Sequence, residues 1–391
     1  MDTRIVSAQQ LVDDEVRWRD LAANALEPNP ALDPDLLGPA LTLTHAPVDL
    51  RFIVVESDGR LDACLPMRPM DRWLRLPRGA FTTRLDDAAV PVLPILATPL
   101  VRTERGEQAV DTLLAASVAE AAHATIGLLA FERLNEGPVA AMIAEACRTR
   151  RLPTYSYEHW ERPVLRRRGN PAEWSAGISP QRLRDLGKKR RRLERAAGEV
   201  RVVDRGDRDT AIDDLLAMQA TGWKAAAGTA VVSDPAKTAF LRESSARLAA
   251  ASRLHLITLE AGGTAAAMCL AVECGSRLFL LHIDFDPEFA PFSPGAQLEA
   301  ALPEFFHAST TSDMMDPVCA PSNAFHAHFL PDRLAVFSCA VAIGGVADRS
   351  VVRAAPYLFE ARHPVRALKQ RWSSGGPRQE SRIGEEAEAA S

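Results

Sequence analysis

Two stretches of the chain alternate between apolar runs and short polar turns in the same way. Residues 51–67 read RFIVVE-SDGR-LDACLPM, and residues 255–271 read HLITLE-AGGT-AAAMCLA. Each is an apolar strand-like run ending in Glu, a four-residue turn with Gly third, and a second apolar run. Glu56 matches Glu260 and Gly59 matches Gly263, a constant offset of 204 (260 minus 56, 263 minus 59). Both stretches predict β-hairpins, because glycine supplies the positive φ that tight hairpin turns need.

The flanking patterns correspond too. A helical period over 9–25, with Leu11, Trp18, Leu21 and Ala25 on one face, precedes the first hairpin. Helical periods over 209–226 and 237–251 precede the second. After the first hairpin come a helix over 107–124 and a strand over 126–133. After the second come a helix over 295–307 and a strand over 312–316, with Pro303 expected to kink that helix or end it early. Matched hairpins in matched order predict an α/β fold of two tandem mixed-sheet domains, at 1–161 and 179–345. Residues 162–178 read as a linker, 346–372 as a helical cover, and 373–391 as a disordered tail poor in apolar residues.

A length of 391 residues suits two domains, each long enough for its own core. The 47% hydrophobic and 25% charged content is that of an ordinary globular chain. A net charge of −5 argues against a molecule built as a whole to attract polyanions. No apolar run approaches the ~18 residues of a membrane span, and the first residues lack a signal-peptide core, so a cytoplasmic protein is expected. The six cysteines are scattered without a CxxC, and read as small buried hydrophobes in a reducing compartment.

Chemistry is suggested first at Phe292-Ser-Pro-Gly-Ala-Gln297, between an apolar strand and a helical pattern. The first N–H groups of a helix lack intrahelical partners and favour an anion, and Gly295 allows close approach to the backbone. A plain helix start, with Ser293 as N-cap and Pro294 at N1, competes with that reading. Just upstream, His282, Asp284 and Asp286 alternate along one strand and so share a face, either a wet cleft or a solvated sheet surface. Asp313, Asp316, Cys319, His326 and His328 follow. Their spacing fits no strong zinc pattern, so no metal is expected. Cys319 as an acyl acceptor competes with a plain buried cysteine.

The string LHIDFDPEFAPFSPGAQL, residues 281–298, resembles the signature of the CelD/BcsL-type acetyltransferase-like proteins. Trp18 with Asn29-Pro30, Thr98-Pro99-Leu100, Ser179-Pro180 with the basic helix after it, Trp223, and Pro331-Asp332-Arg333 agree with that family in order. The sequence departs from it where relatives carry an Asp…Tyr-Lys pattern; here Phe325-His326-Ala327-His328 stands instead. The resemblance implies two tandem GNAT-like mixed-sheet domains, related in fold to the FemABX peptidyltransferases. It implies acetyl-CoA or another acyl-CoA as co-substrate, held in the second half by the backbone of Ser293, Gly295, Ala296 and Gln297. The strand before that loop would offer its edge to the pantetheine arm. His282 is the candidate general base, and Asp286 and Asp316 are the further catalytic candidates. The first half has Arg102-Thr103-Glu104-Arg105 where a Ser-Pro-Gly would stand, so it is expected to shape the acceptor pocket without binding a donor.

The expected acceptor is a small-molecule or sugar amine, in polysaccharide or envelope metabolism. A catalytically inert scaffold for envelope assembly and a FemABX-like aminoacyl transferase are the alternatives. A dense basic helix over 181–195 contains Lys188, Lys189, Arg190, Arg191 and Arg192 and invites an anionic ligand or a peripheral contact with the inner membrane. No aromatics interleave with those charges, so no specific nucleic acid is expected.

Overall fold

The two alternating stretches fold as hairpins, and each hairpin lies second and third from its own edge of one sheet. The computed structural model describes residues 1–391 except 45–47, 74–78, 86–95, 125, 170–172, 174–176, 209, 222–230, 321–324 and 361–391. The first hairpin is β2 (Arg51–Ser57) and β3 (Arg60–Met70); the second is β9 (Leu254–Ala261) and β10 (Thr264–Cys274). Asp58 and Gly59 (φ 52° and 76°) make the first turn, and Gly262 and Gly263 (φ 58° and 86°) the second. Two positive-φ residues are what a two-residue turn needs to match strand twist. The offset of 204 reaches one feature further. Asp62 is an extra residue in β3 against β2, and Ala266 is the extra residue in β10 against β9.

The remaining strands are β1 (Asp2–Ser7), β4 (Ala80–Thr82), β5 (Leu100–Val101), β6 (Leu128–Asn135), β7 (Thr154–Arg166), β8 (Val200–Asp204), β11 (Arg277–Phe285), β12 (Met314–Asp316) and β13 (Asp332–Ala342). They form one 13-stranded sheet in the order β1-β2-β3-β4-β6-β13-β7-β12-β11-β10-β9-β8, with β5 paired to β3. Read inward from either edge the order is the same, down to one parallel pair in each half, β4 with β6 and β11 with β12. The centre breaks the separation: β7 of the first half pairs with β12, and β13 of the second half pairs with β6. The halves therefore exchange strands.

That exchange corrects the linker expected at 162–178, because 162–166 belong to β7. Arg162 and Pro163 mask the strand in the sequence. Arg162 is nonetheless 2% exposed, because it is paired inside the sheet, and Pro163 lies in register with Arg333.

Helices cover both faces. One face carries α1 (Ala8–Asp13), α2 (Glu15–Ala23), α3 (Pro34–Leu43), α7 (Ala211–Thr221) and α8 (Pro235–Ala250) in a core shared by both halves. The other carries α4 (Gly106–Ala124) and α5 (Pro138–Thr149) over the first half, and α6 (Pro180–Ala197) and α9 (Pro294–Ser309) over the second. The single helix expected over 9–25 is broken at Asp14. The expected cover is α10 (Val346–Glu360), packed on Trp73 and Tyr157; residues 361–372 and the tail at 373–391 lie outside the described residues.

Pro303 neither ends α9 nor stops it short. The helix runs six residues past it, and its last carbonyls are gathered by one guanidinium. Arg167 donates to Phe306 O at 3.0 Å, His307 O at 3.3 Å, Thr310 O at 2.9 Å and Ser312 O at 2.6 Å. Satisfying the orphan carbonyls in this way offsets the bond that proline removes.

Candidate active site

β11 and β12 form a fork. They pair in parallel only at Arg277 with Met314, Leu278 with Met315, and Phe279 with Asp316. On its other side β11 stays paired with β10 as far as Phe285. The stretch 280–285 thus has one hydrogen-bonding edge that β12 does not fill.

Leu281 is an extra residue in β11, since His282 pairs with Leu270 and Leu280 with Ala271. This bulge reverses which face the following side chains take. Before it, Leu278 and Leu280 pack with α9, and Phe279 and Leu281 pack on the opposite face; after it, Ile283 and Phe285 pack with α9. His282 then lines a crevice with Ser244 and Ser245 of α8, and buried Asp284 accepts from Gln219 Nε2 of α7 at 2.8 Å.

Asp286 does not join them. Its carboxylate accepts from Glu288 N–H at 2.9 Å, capping a short 3-10 turn over Pro287–Phe292. The expected three-residue polar face is therefore His282 and Asp284 alone. Asp316 is also not a free acid. It is fully buried and paired with Arg162 at 2.7 Å, and that guanidinium also donates to Asn135 at 2.9 Å. Three strands of both halves are joined here, at the last rung of the fork.

α9 begins beside the fork. Ser293 is left-handed (φ 52°, ψ 57°) and its hydroxyl does not cap the helix. Instead Ser293 Oγ accepts from Lys189 Nζ of α6 at 2.5 Å. Gln297 N–H makes the first helical bond, to Ser293 O at 3.1 Å. This removes Gln297 N–H from the expected anion-binding set and leaves Gly295 and Ala296. Gln297 Oε1 is buried without a hydrogen-bond partner among the described residues, while its Nε2 donates to Phe292 O at 2.9 Å. A Cβ at Gly295 would meet only Phe285, at 3.6 Å. No other described residue crowds that position, so packing does not require glycine there.

The basic helix α6 divides its charges. Lys189 and Arg192 face the start of α9, with Arg192 5.9 Å from the Phe292 ring. Arg190 turns to Val200 O at 2.5 Å and Glu194 at 3.3 Å. Lys188 and Arg191 are exposed, Lys188 3.3 Å from Asp185. Only part of the basic run therefore borders the site.

His326 Nδ1 lies 2.6 Å from Glu299 Oε1 and is buried, whereas His328 is exposed. No group of three or more His, Cys, Asp or Glu among the described residues is placed to hold a metal. Burial pushes the Cys319 thiol up to about 11, which disfavours the thiolate an acyl-enzyme needs. In the first half, α4 opens after left-handed Arg105 (φ 61°), the counterpart of Ser293. There the helix start is filled, with a Cβ at Gly106 falling 3.2 Å from Met142 Sδ of α5.

Arg162, Gln219 and Glu299 escaped the sequence reading. Their partners lie between 27 and 154 residues away, and no local spacing signals them. Lys189 could have been singled out, because it lies on the same side of the helix as Leu186 and Leu193.

Residues 180–314 match the model of the Acetyltransferase (GNAT) domain. No curated protein matches the chain. A conserved protein of unknown function from Bacteroides thetaiotaomicron VPI-5482 shares its fold at 10% identity, over 84% of this chain and 97% of that one, with a TM-score of 0.51. The C-terminal domain of a putative lysylphosphatidylglycerol synthetase from Agrobacterium fabrum does so at 13% identity, over 90% and 97%, with a TM-score of 0.50. The chain thus has an α/β fold of two tandem GNAT-like halves, with the GNAT acetyltransferase pattern in its second half.

Proposed function

We propose that the protein is an N-acyltransferase that binds acyl-CoA in its second half, acetyl-CoA being the simplest donor, and passes the acyl group directly to an amine. The observation that carries this is the juxtaposition, inside the GNAT-matching segment, of the Gly295 and Ala296 N–H groups at the helix start, Lys189, and the stretch of β11 where it parts from β12. Gly295 and Ala296 N–H with the Lys189 ammonium would hold the pyrophosphate. The pantetheine arm would lie along β11 where it parts from β12, beyond Phe279. The amine nitrogen attacks the thioester carbonyl, the C–S bond breaks, and CoA leaves as the thiol once the amine has lost its proton. His282 would take that proton, and Asp284, on the same face, would orient the amine. The filled start of α4 supports a first half without a donor site.

The acceptor class is a small-molecule or sugar amine, and membership of the CelD/BcsL-type proteins fits the motif order in the sequence. The test is thiol release and mass-resolved product formation from acetyl-CoA with a panel of primary amines. Turnover that falls at least about a hundredfold in His282→Ala, a typical general-base contribution, with CoA affinity kept, supports the assignment. Equal turnover in wild type and His282→Ala removes His282 from it. No product with any acyl-CoA leaves the inert envelope-assembly scaffold as the better reading.

A further inference from the structure

The buried face of α8 carries two serines among its apolar residues. Phe240, Leu241, Ser244, Ser245 and Leu248 recur at the helical period, and all of them are buried. A serine buried in a helix commonly returns its hydroxyl to the carbonyl four residues back, as Ser117 of α4 does to Leu113 O at 2.9 Å. Ser244 does not. It is 1% exposed, and its Oγ has no hydrogen-bond partner among the described residues. A hydroxyl left unpaired in the interior is destabilising, and alanine is the better helix former. Neither the helix nor its packing accounts for a serine at 244.

Ser244 lines the crevice beside His282. Leu36 of α3, Phe240 of α8 and Leu270 of β10 are among the apolar walls, so both halves contribute to it. Of the lining residues only Leu281 and His282 are half-buried and the rest are buried, so the crevice opens beside His282 and runs inward from there. Its volume is about 10 Å³, room for roughly one water-sized group. A charged group would lose its solvation among these leucines without a counter-ion. A methyl group would fit the walls but leave Ser244 unpaired. A neutral hydroxyl meets both conditions, since it is small and can donate to or accept from Ser244 Oγ.

We propose that the site takes a 1,2-amino alcohol, with the amine at His282 and the hydroxyl of the neighbouring carbon inside the crevice, paired with Ser244. The amine's part as acyl acceptor rests on the acyl-transfer reading, whereas recognition of the hydroxyl is read from binding alone. Ethanolamine and propylamine have the same length and differ in a hydroxyl against a methyl. Each is titrated into the full-length protein and into Ser244→Ala by ligand-observed NMR, with CoA present and no acyl donor. Wild type should bind ethanolamine roughly tenfold more tightly than propylamine, the scale of one hydrogen bond to a group otherwise left unpaired. In Ser244→Ala the preference should shrink to within about twofold or reverse, and urea unfolding should show the variant at least as stable as wild type. Equal affinities in wild type, a preference that survives in Ser244→Ala, or no binding of either amine by wild type overturns the proposal. Transfer from acetyl-CoA to the two amines is measured separately. No transfer, with the binding preference intact and lost in Ser244→Ala, upholds the ligand class and counts against the acyl-transfer reading alone.

Discussion

Replacing Asp316 with Asn separates a structural acid from a catalytic one. The wild-type pair is buried on both sides, Arg162 at 2% and Asp316 at 0% exposure, with 2.7 Å between charged atoms. Asn keeps the shape and one acceptor but leaves the guanidinium as an uncompensated charge. Breaking a buried pair from one side costs about 3–5 kcal/mol, and the retained acceptor places Asp316→Asn near the lower end. That is a large share of the roughly 5–15 kcal/mol that holds a folded domain together. Arg162 Nε and Asn135 Nδ2 already lack partners among the described residues, so the pocket has little polar compensation to offer. Urea unfolding of Asp316→Leu, Arg162→Met and the Arg162→Met/Asp316→Leu double variant completes a cycle, with Asp316→Asn measured beside it. Each single variant should lose about 3 kcal/mol, and the double variant should lose less than either, because apolar replacement of a whole buried pair is often neutral. Wild-type stability in Asp316→Asn, with acyl transfer abolished, would refute this reasoning and return Asp316 to the catalytic set.

Burial works against a charged His255, but bonds to Asp204 at 2.7 Å and Glu273 at 2.9 Å outweigh it and lift the ring from 6.5 to about 9. A raised cation stabilises the fold fully below pH 6.5 and loses that contribution as pH rises through about 9, so urea midpoints should fall across that window and His255→Leu should flatten the fall. Asp204 and Glu273 are held below the usual carboxylate range, so their contribution is present above that range and lost as pH falls through it. Lys189→Ala should weaken CoA binding by about tenfold, the scale of one charge-assisted contact, while Lys188→Ala changes it by less than about twofold because an exposed charge contributes little. Cys319→Ser should leave turnover within about threefold of wild type; loss of turnover with the fold intact would reinstate a thiol mechanism.

The hairpins were legible because a two-residue turn advertises itself through glycine, and the repeat carried the tandem architecture with it. The helix start at Ser293 was legible for the same local reason. The strand exchange was not. β7 contains Arg162 and Pro163, which read as a linker until Asp316, 154 residues away, supplies the missing charge. Alternation placed His282 and Asp284 together but could not foresee that the chain turns at Asp286, where the carboxylate caps the next turn. The basic helix was visible as a run of charge, and only its packing against Phe292 and Ser293 separates Lys189 and Arg192 from Lys188 and Arg191.

The central claim is that the start of α9 holds the donor's pyrophosphate, and calorimetric titration of wild type and Gly295→Asp with acetyl-CoA tests it most directly. The added Cβ has room beside Phe285, at 3.6 Å, and aspartate suits a helix N-terminus, so the variant should fold. Its carboxylate would sit where the phosphates must, and like charges in a confined site repel strongly. Wild type should bind, and Gly295→Asp should bind at least about a hundredfold more weakly, the scale of losing one or two hydrogen bonds to a charged group. Equal affinity in the two proteins, or no affinity in wild type at millimolar acetyl-CoA, would contradict the account.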